Sequence, residues 1–165
     1  MDDDRVHVVR VNHQDGPRDY LTLLKPDTVF AQGLTPKAIV GVMRRLLQPG
    51  EKITPDLFIL NRPFVDFLHG VLARYSPGQP ACQAEARQVG DGFIYILDQR
   101  TPTPEDEVPP EDIIGALEVR DGNIIPDSYR PNPNHLILSA RGFFRLDDTL
   151  HGCLMQELAA RNTGG

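Results

Sequence analysis

The chain has 165 residues, 40% of them hydrophobic, a size that fits one domain and buries a core without disulfides or metals. Its 23 acids against 17 bases give a net charge of -6, which disfavours nucleic acid, whose phosphates attract clustered Lys and Arg. No apolar run reaches the ~20 residues of a spanning helix, and Asp2-Asp3-Asp4 stands where a secretory leader would be basic. The expectation is a cytoplasmic protein with no membrane partner.

Arg5–Val11 is rich in β-branched residues and predicts a strand. Asn12–Arg18 predicts a turn broken by Asp15-Gly16-Pro17. Tyr20–Ala31 fits no single period, with Thr28–Ala31 a candidate short strand. Thr35-Pro36 reads as a helix start, threonine as N-cap and proline at the first helical position. Ile39, Val42, Met43, Leu46 and Leu47 then recur at three- and four-residue steps up to Pro49-Gly50, carrying Arg44-Arg45 on the same predicted helix. A second helix from Asn61 has the stripe Phe64, Phe67, Leu68, Val71, Leu72 and Tyr75, and Gln79–Gln88 reads as a weaker third.

From Gly90 the period changes. Phe93–Leu97 is apolar on both faces, as in an interior strand. Asp121-Gly122 between Asp112–Arg120 and Asn123–Ile125 is a two-residue hairpin signal. Leu136–Leu138 and Phe143–Arg145 flank a second hairpin, and Asp147 caps a last helix with the stripe Leu150, Cys153, Leu154 and Leu158. The expected fold class is α+β: an antiparallel β-meander of about four to five strands, with two N-terminal helices and a C-terminal helix packed on it. It forms a single domain over residues 1–165, disordered at 1–4 and 162–165, with no internal repeat. The link from Leu97 to Asp112 is long enough to permit a crossover.

The candidate site is the polar run Asp127, Ser128, Tyr129, Arg130, Asn132, Asn134 and His135, stiffened by Pro131 and Pro133. In an extended polyproline-type ribbon Tyr129, Asn132 and His135 share an edge, with Tyr129 and His135 roughly 19 Å apart. That spacing suits recognition rather than convergence on one bond. The rival expectation is a pocket between the sheet and the N-terminal helices, with His135 as general acid or base. Tyr129 and Arg130 would orient an anion there, and Asp121 or Asp127 would support the histidine. Ser128, His135 and one of Asp98, Asp121 or Asp127 supply the residue types of a hydrolytic triad, but no Gly-x-Ser-x-Gly elbow surrounds Ser128.

His7, His13, His69, His135 and His151 show no metal-binding spacing, Cys82 and Cys153 form no CxxC, and no phosphate loop is present. No metal and no cofactor are expected. Cys82 near a helix start is a weak candidate for a reactive thiol. Thr101–Asp112, with five acids and four prolines, reads as an extended acidic loop suited to a basic partner. The leading expectation is a non-catalytic protein that binds another protein, of inhibitor, immunity or adaptor type. Tyr129 and Arg130 would be anchors, with self-association through a sheet edge as a further route to a homo-oligomer.

Overall fold

The protein, seen in a computed structural model, is described over residues 5–100 and 108–163. It is α+β, with antiparallel strands and a C-terminal helix, as the sequence predicts. The chain divides into two compact units, one of residues 1–67, 137–143 and 154–165, the other of residues 68–136 and 144–153. No helix among the described residues is long and apolar enough to cross a membrane.

The first unit holds a four-stranded antiparallel sheet in the order β1 (His7–His13), β2 (Gly16–Thr22), β3 (Ile39–Met43), β4 (Phe58–Leu60). The predicted seven-residue turn is mostly strand: β1 and β2 pair from His7↔Thr22 to His13↔Gly16, leaving only Gln14-Asp15 between them. Thr28–Ala31 is not a strand but lies inside helix α1 (Pro26–Gln32), which begins on a proline. The largest correction is the helix expected after Thr35. Its first turn forms, as a single 3-10 turn at Pro36–Ala38, and the chain then straightens into β3. Ile39, Val40 and Val42 are β-branched and Gly41 is a poor helix former, so intrinsic preference opposes the 3.6-residue pattern. Arg44-Arg45 therefore follow a strand, and Arg45 pairs with Glu51. The hairpin β9 (Leu138–Ser139) and β10 (Gly142–Phe143) also belongs to this unit, and Phe143 meets Phe58 edge to face at 5.8 Å.

The second unit is built on β5 (Gly92–Leu97) and β6 (Ile113–Arg120), with β7 (Asn123–Ile124) and β8 (Arg130–Pro131) both on the far side of β6. The Asp121-Gly122 turn forms with φ of 53° and 78°, as that dipeptide predicts. The link from Leu97 to Asp112 joins antiparallel neighbours and makes no crossover. Contrary to the interior strand expected, β5 pairs only with β6 among the described residues: Ile94 and Ile96 are buried, while Phe93 and Tyr95 are 40% and 51% exposed. Helix α3 (Pro80–Val89) precedes it, close to the weak third helix foreseen.

Helices α2 (Arg62–Tyr75) and α4 (Asp148–Thr163) match two predicted stripes. Phe64, Leu68 and Leu72 on α2, and Leu150, Leu154 and Leu158 on α4, are buried, whereas Cys153 is only half-buried. Asp147 accepts the Leu150 N–H at 2.8 Å, a side-chain N-cap. α4 runs on to Thr163, past the predicted end of order at Asn162. Residues 1–4, and residues 101–107 of the acidic segment, lie outside the described residues.

The two units repeat one another, a relation the sequence reading missed. Pro36, Ile39 and Gly41 match Pro110, Ile113 and Gly115, and Pro55-Asp56, Phe58 and Asn61 match Pro126-Asp127, Tyr129 and Asn132. Strands β2 and β5 carry the same pairing irregularity at the same place, between Leu21 and Thr22 in one and between Ile96 and Leu97 in the other. Asn61 donates its side-chain amide to the carbonyls of Pro36 and Ile39 at 2.6 and 2.7 Å, and its N–H to Val40 O at 3.1 Å. Asn132 does the same to Pro110, Ile113 and Ile114 at 2.8, 2.7 and 3.0 Å. In each unit an aromatic ring lies across a strand glycine, Phe58 on Gly41 and Tyr129 on Gly115, where a methyl group would collide with it.

Candidate functional site

The predicted polar run does not converge. Tyr129 turns inward over Gly115, where its hydroxyl meets His69 Nδ1 at 2.8 Å, and burial raises the phenol's pKa. Ser128 Oγ accepts the Glu118 N–H at 3.0 Å, the bond that Leu57 O accepts from Arg44 N–H at 2.8 Å in the first unit. Asn132 spends both amide protons on the clamp, and its Oδ1 accepts the Asn134 N–H at 3.1 Å. Asp127 is an exposed left-handed turn residue with φ 60°, and Asn134 is also exposed. Arg130 alone points along the open sheet face, its guanidinium 5.8 Å from the Phe93 ring centroid.

His135 takes part in a different constellation, one that sequence reasoning touched only through Asp98. His135 Nε2 lies 2.9 Å from Asp98 Oδ2, and Asp98 Oδ1 accepts the N–H groups of Arg145 and Arg100 at 2.9 and 3.1 Å. Arg100 Nε donates to Asp112 Oδ1 at 2.8 Å, and its terminal nitrogen to the carbonyls of Glu111 and Leu136 at 2.9 and 2.7 Å. All four side chains are almost fully buried: Asp98 0%, His135 2%, Arg100 3% and Asp112 3% exposed. Asp112, foreseen as part of a solvated loop, is thus an interior ion-pair partner. Burying charge is tolerated here because each carboxylate faces a cation and multiple donors.

The repeat gives this cluster its meaning. Counting from the shared irregularity and clamp, Asp98, Arg100, Asp112 and His135 stand where the first unit has Leu23, Lys25, Ala38 and Phe64. The N–H groups of Phe64 and His135 donate to the carbonyls of Asn61 and Asn132 at the same 3.1 Å. Leu23, Ala38 and Phe64 are buried and apolar, and Lys25 is exposed. The same backbone frame therefore closes with hydrocarbon in one unit and with ions in the other. The reverse exchange occurs four residues earlier in the chain. Asp19, held by Arg10 at 2.8 and 3.0 Å and by the Leu47 N–H at 2.8 Å, has a lowered pKa chiefly from the Arg10 hydrogen bonds. Its counterpart in β5 is the buried Ile94.

A hydrolytic triad is not assembled: His135 pairs with Asp98, but Ser128 is bonded to Glu118 and makes no bond to the imidazole. No group of three His, Cys, Asp or Glu side chains among the described residues is arranged to hold a metal ion. A half-open groove of about 460 Å³ lies in the second unit, lined by Pro77, Gln83, Arg87, Asn123, Ile124 and Pro126 among others, and none of the seven predicted site residues borders it. His13 is bonded to Tyr20 Oη at 2.9 Å, so it too is engaged locally.

Cys82 sits at the third position of α3, where a thiolate would be favoured by the helix end. Burial works against that and, with the charges of Glu85 and Asp147, pushes the thiol up to about 11. The thiol form prevails throughout neutral pH and gives way only as pH rises through that value. At pH 8 we expect alkylation of Cys82 by iodoacetamide roughly a hundredfold slower than that of free cysteine, following the thiolate fraction. Mass spectrometry of the separated Cys82 peptide measures this, and a rate equal to that of the free thiol would refute it.

No family model, curated protein or solved structure matches this chain.

Proposed function

We propose that this protein acts by non-catalytic binding of another protein, through the outer face of the second unit's sheet. The observation that carries this reading is the division of labour among the polar residues. Tyr129, Asn132, Ser128 and His135 are each held by at least one side-chain bond inside the fold. Phe93, Tyr95 and Arg130 form an exposed aromatic and cationic surface. Aromatic residues and arginine are the side chains that anchor interfaces, because they desolvate a large area at small entropic cost. A general acid or base, by contrast, must reach the proton it moves, and the His135 ring is closed off by Asp98 and its own burial. The net charge of -6 favours a basic partner and speeds its encounter.

The test is quantitative capture from host extract with the wild-type chain and with Phe93→Ser/Tyr95→Ser/Arg130→Ser. Loss of even one anchor at hot-spot strength raises the dissociation constant roughly 30-fold, so the specifically retained partner should fall steeply. Retention unchanged by all three substitutions overturns this surface. A turnover activity abolished by His135→Ala, in a chain that stays folded, overturns the non-catalytic reading itself.

A further inference from the structure

We infer that the free edge of β5 pairs antiparallel with β5 of a second copy of this chain. The inference rests on the binding reading and identifies one occupant of that surface. In the first unit the matching strand β2 is covered along its outer edge by β1, with Val9 opposite Tyr20. The second unit lacks that cover. Its chain enters β5 from α3 through Gly90, and among the described residues β5 is paired with β6 alone. The consequence shows at matching positions: Tyr20 is half-buried where Tyr95 is exposed. Apart from the Leu97 carbonyl, which accepts the Gln99 side-chain amide at 3.3 Å, the backbone groups on the outer side of Gly92–Ile96 have no other hydrogen-bond partner among the described residues.

The edge also lacks the features that keep strands apart. Gly92–Leu97 (GFIYIL) contains no charge and no proline, and its one irregularity falls at the last pair. The other outer strands are blunted: β4 is three residues long, β8 contains Pro131, and β1 carries Arg10 with histidines at both ends. An edge so composed fits a copy of itself. A two-fold axis through Ile94 sets Phe93 against Tyr95 of the second copy, and Tyr95 against its Phe93. Each contact is thereby made twice, as a closed two-fold interface requires. Among registers that keep like faces together, this one pairs both aromatics with aromatics, the favoured cross-strand combination. A one-residue slip would place Phe93 on the core side and is excluded by the pleat. The net charge of -6 on each copy opposes association weakly, because screening ends its reach within about 8 Å at physiological salt.

Sedimentation velocity across a concentration series should show a monomer–dimer equilibrium. Phe93→Lys/Tyr95→Lys, at two exposed positions, should raise the dimer dissociation constant roughly a hundredfold with an unchanged circular dichroism spectrum. The register is read by mixing two proteins in a Cys82→Ser/Cys153→Ser background, one with Phe93→Cys and the other with Tyr95→Cys. The mixture should form a disulfide dimer on mild oxidation, and neither protein alone should. Hydrogen exchange of the wild-type chain gives an independent readout: β5 amides should become more protected as concentration rises. A chain that stays monomeric at every concentration, or a dimer indifferent to the lysines, overturns the inference. A monomer whose captured partner still depends on Phe93, Tyr95 and Arg130 also overturns the second-copy inference, while leaving the protein-binding reading standing.

Discussion

Asp98→Leu alone should lower the unfolding free energy by about 3–5 kcal/mol, the usual cost of leaving a buried charge without its counter-ion. The stranded groups are His135 Nε2 and the two N–H donors now satisfied by Asp98 Oδ1, while Arg100 loses one of its two carboxylates and keeps Asp112. The fourfold exchange Asp98→Leu/Arg100→Lys/Asp112→Ala/His135→Phe, which installs the first unit's side chains in the second, should behave differently. It should recover most of that loss, since well-packed hydrocarbon often replaces a buried ion set at little cost, with the two freed N–H groups accounting for what remains. Lysine at position 100 can extend its ammonium to water, as the exposed Lys25 does. Urea unfolding of the two variants decides the matter through their midpoints. If the fourfold variant is as unstable as Asp98→Leu, the two units do not share a frame at these positions.

Gly41→Ala should cost about 1–3 kcal/mol through overpacking, with the effect toward the upper end of that range. The new methyl would collide with the Phe58 ring and also with the Ile59 carbonyl, which belongs to the β3–β4 ladder and cannot swing away. Retreat of the ring is further opposed by Phe143 at its edge. In the second unit the three atoms nearest a methyl at Gly115 all belong to the Tyr129 side chain, so the ring can shift at the expense of its bond to His69. Thermal unfolding should therefore place Gly41→Ala below Gly115→Ala, and both below wild type. Equal tolerance of alanine at the two sites would mean that the rings do not constrain these strands.

The parts of this fold legible in the sequence were those written in local chemistry. The Asp121-Gly122 turn, the α2 stripe and the Asp147 cap each depend on a few neighbouring residues, and each is present. The segment after Thr35 misled because Ile39, Val42, Met43, Leu46 and Leu47 satisfy helical spacing by chance. The deciding fact, the Phe58 ring against Gly41, comes from elsewhere in the chain. Phe93–Leu97 looked like an interior strand because Phe93 and Tyr95 are apolar, but apolarity marks a binding face as readily as a core. Of the site, the sequence singled out His135 and weighed Asp98 beside it. Arg100 and Asp112 could not be found that way, since their bonds join segments separated by a long loop. The repeat was the signal available: Pro-Asp, an aromatic and Asn at matching spacing in Pro55–Asn61 and Pro126–Asn132. A three-residue change of spacing between the two sets of landmarks hid it.

Two units with interchangeable landmarks in one polypeptide create a proofreading problem during folding, because β5 carries the same register marks as β2 and could be zipped onto β3. The buried cluster of Asp98, Arg100, Asp112 and His135 would work as an address label against that exchange. Zipped onto β3, Asp98 would face Ala38 and Phe64 with neither guanidinium nor imidazole nearby, and such a miswired intermediate would be expelled by the cost of its bare carboxylate. The fourfold-exchanged chain loses that label. Its refolding should show an added slow phase even where its equilibrium stability approaches that of the natural sequence.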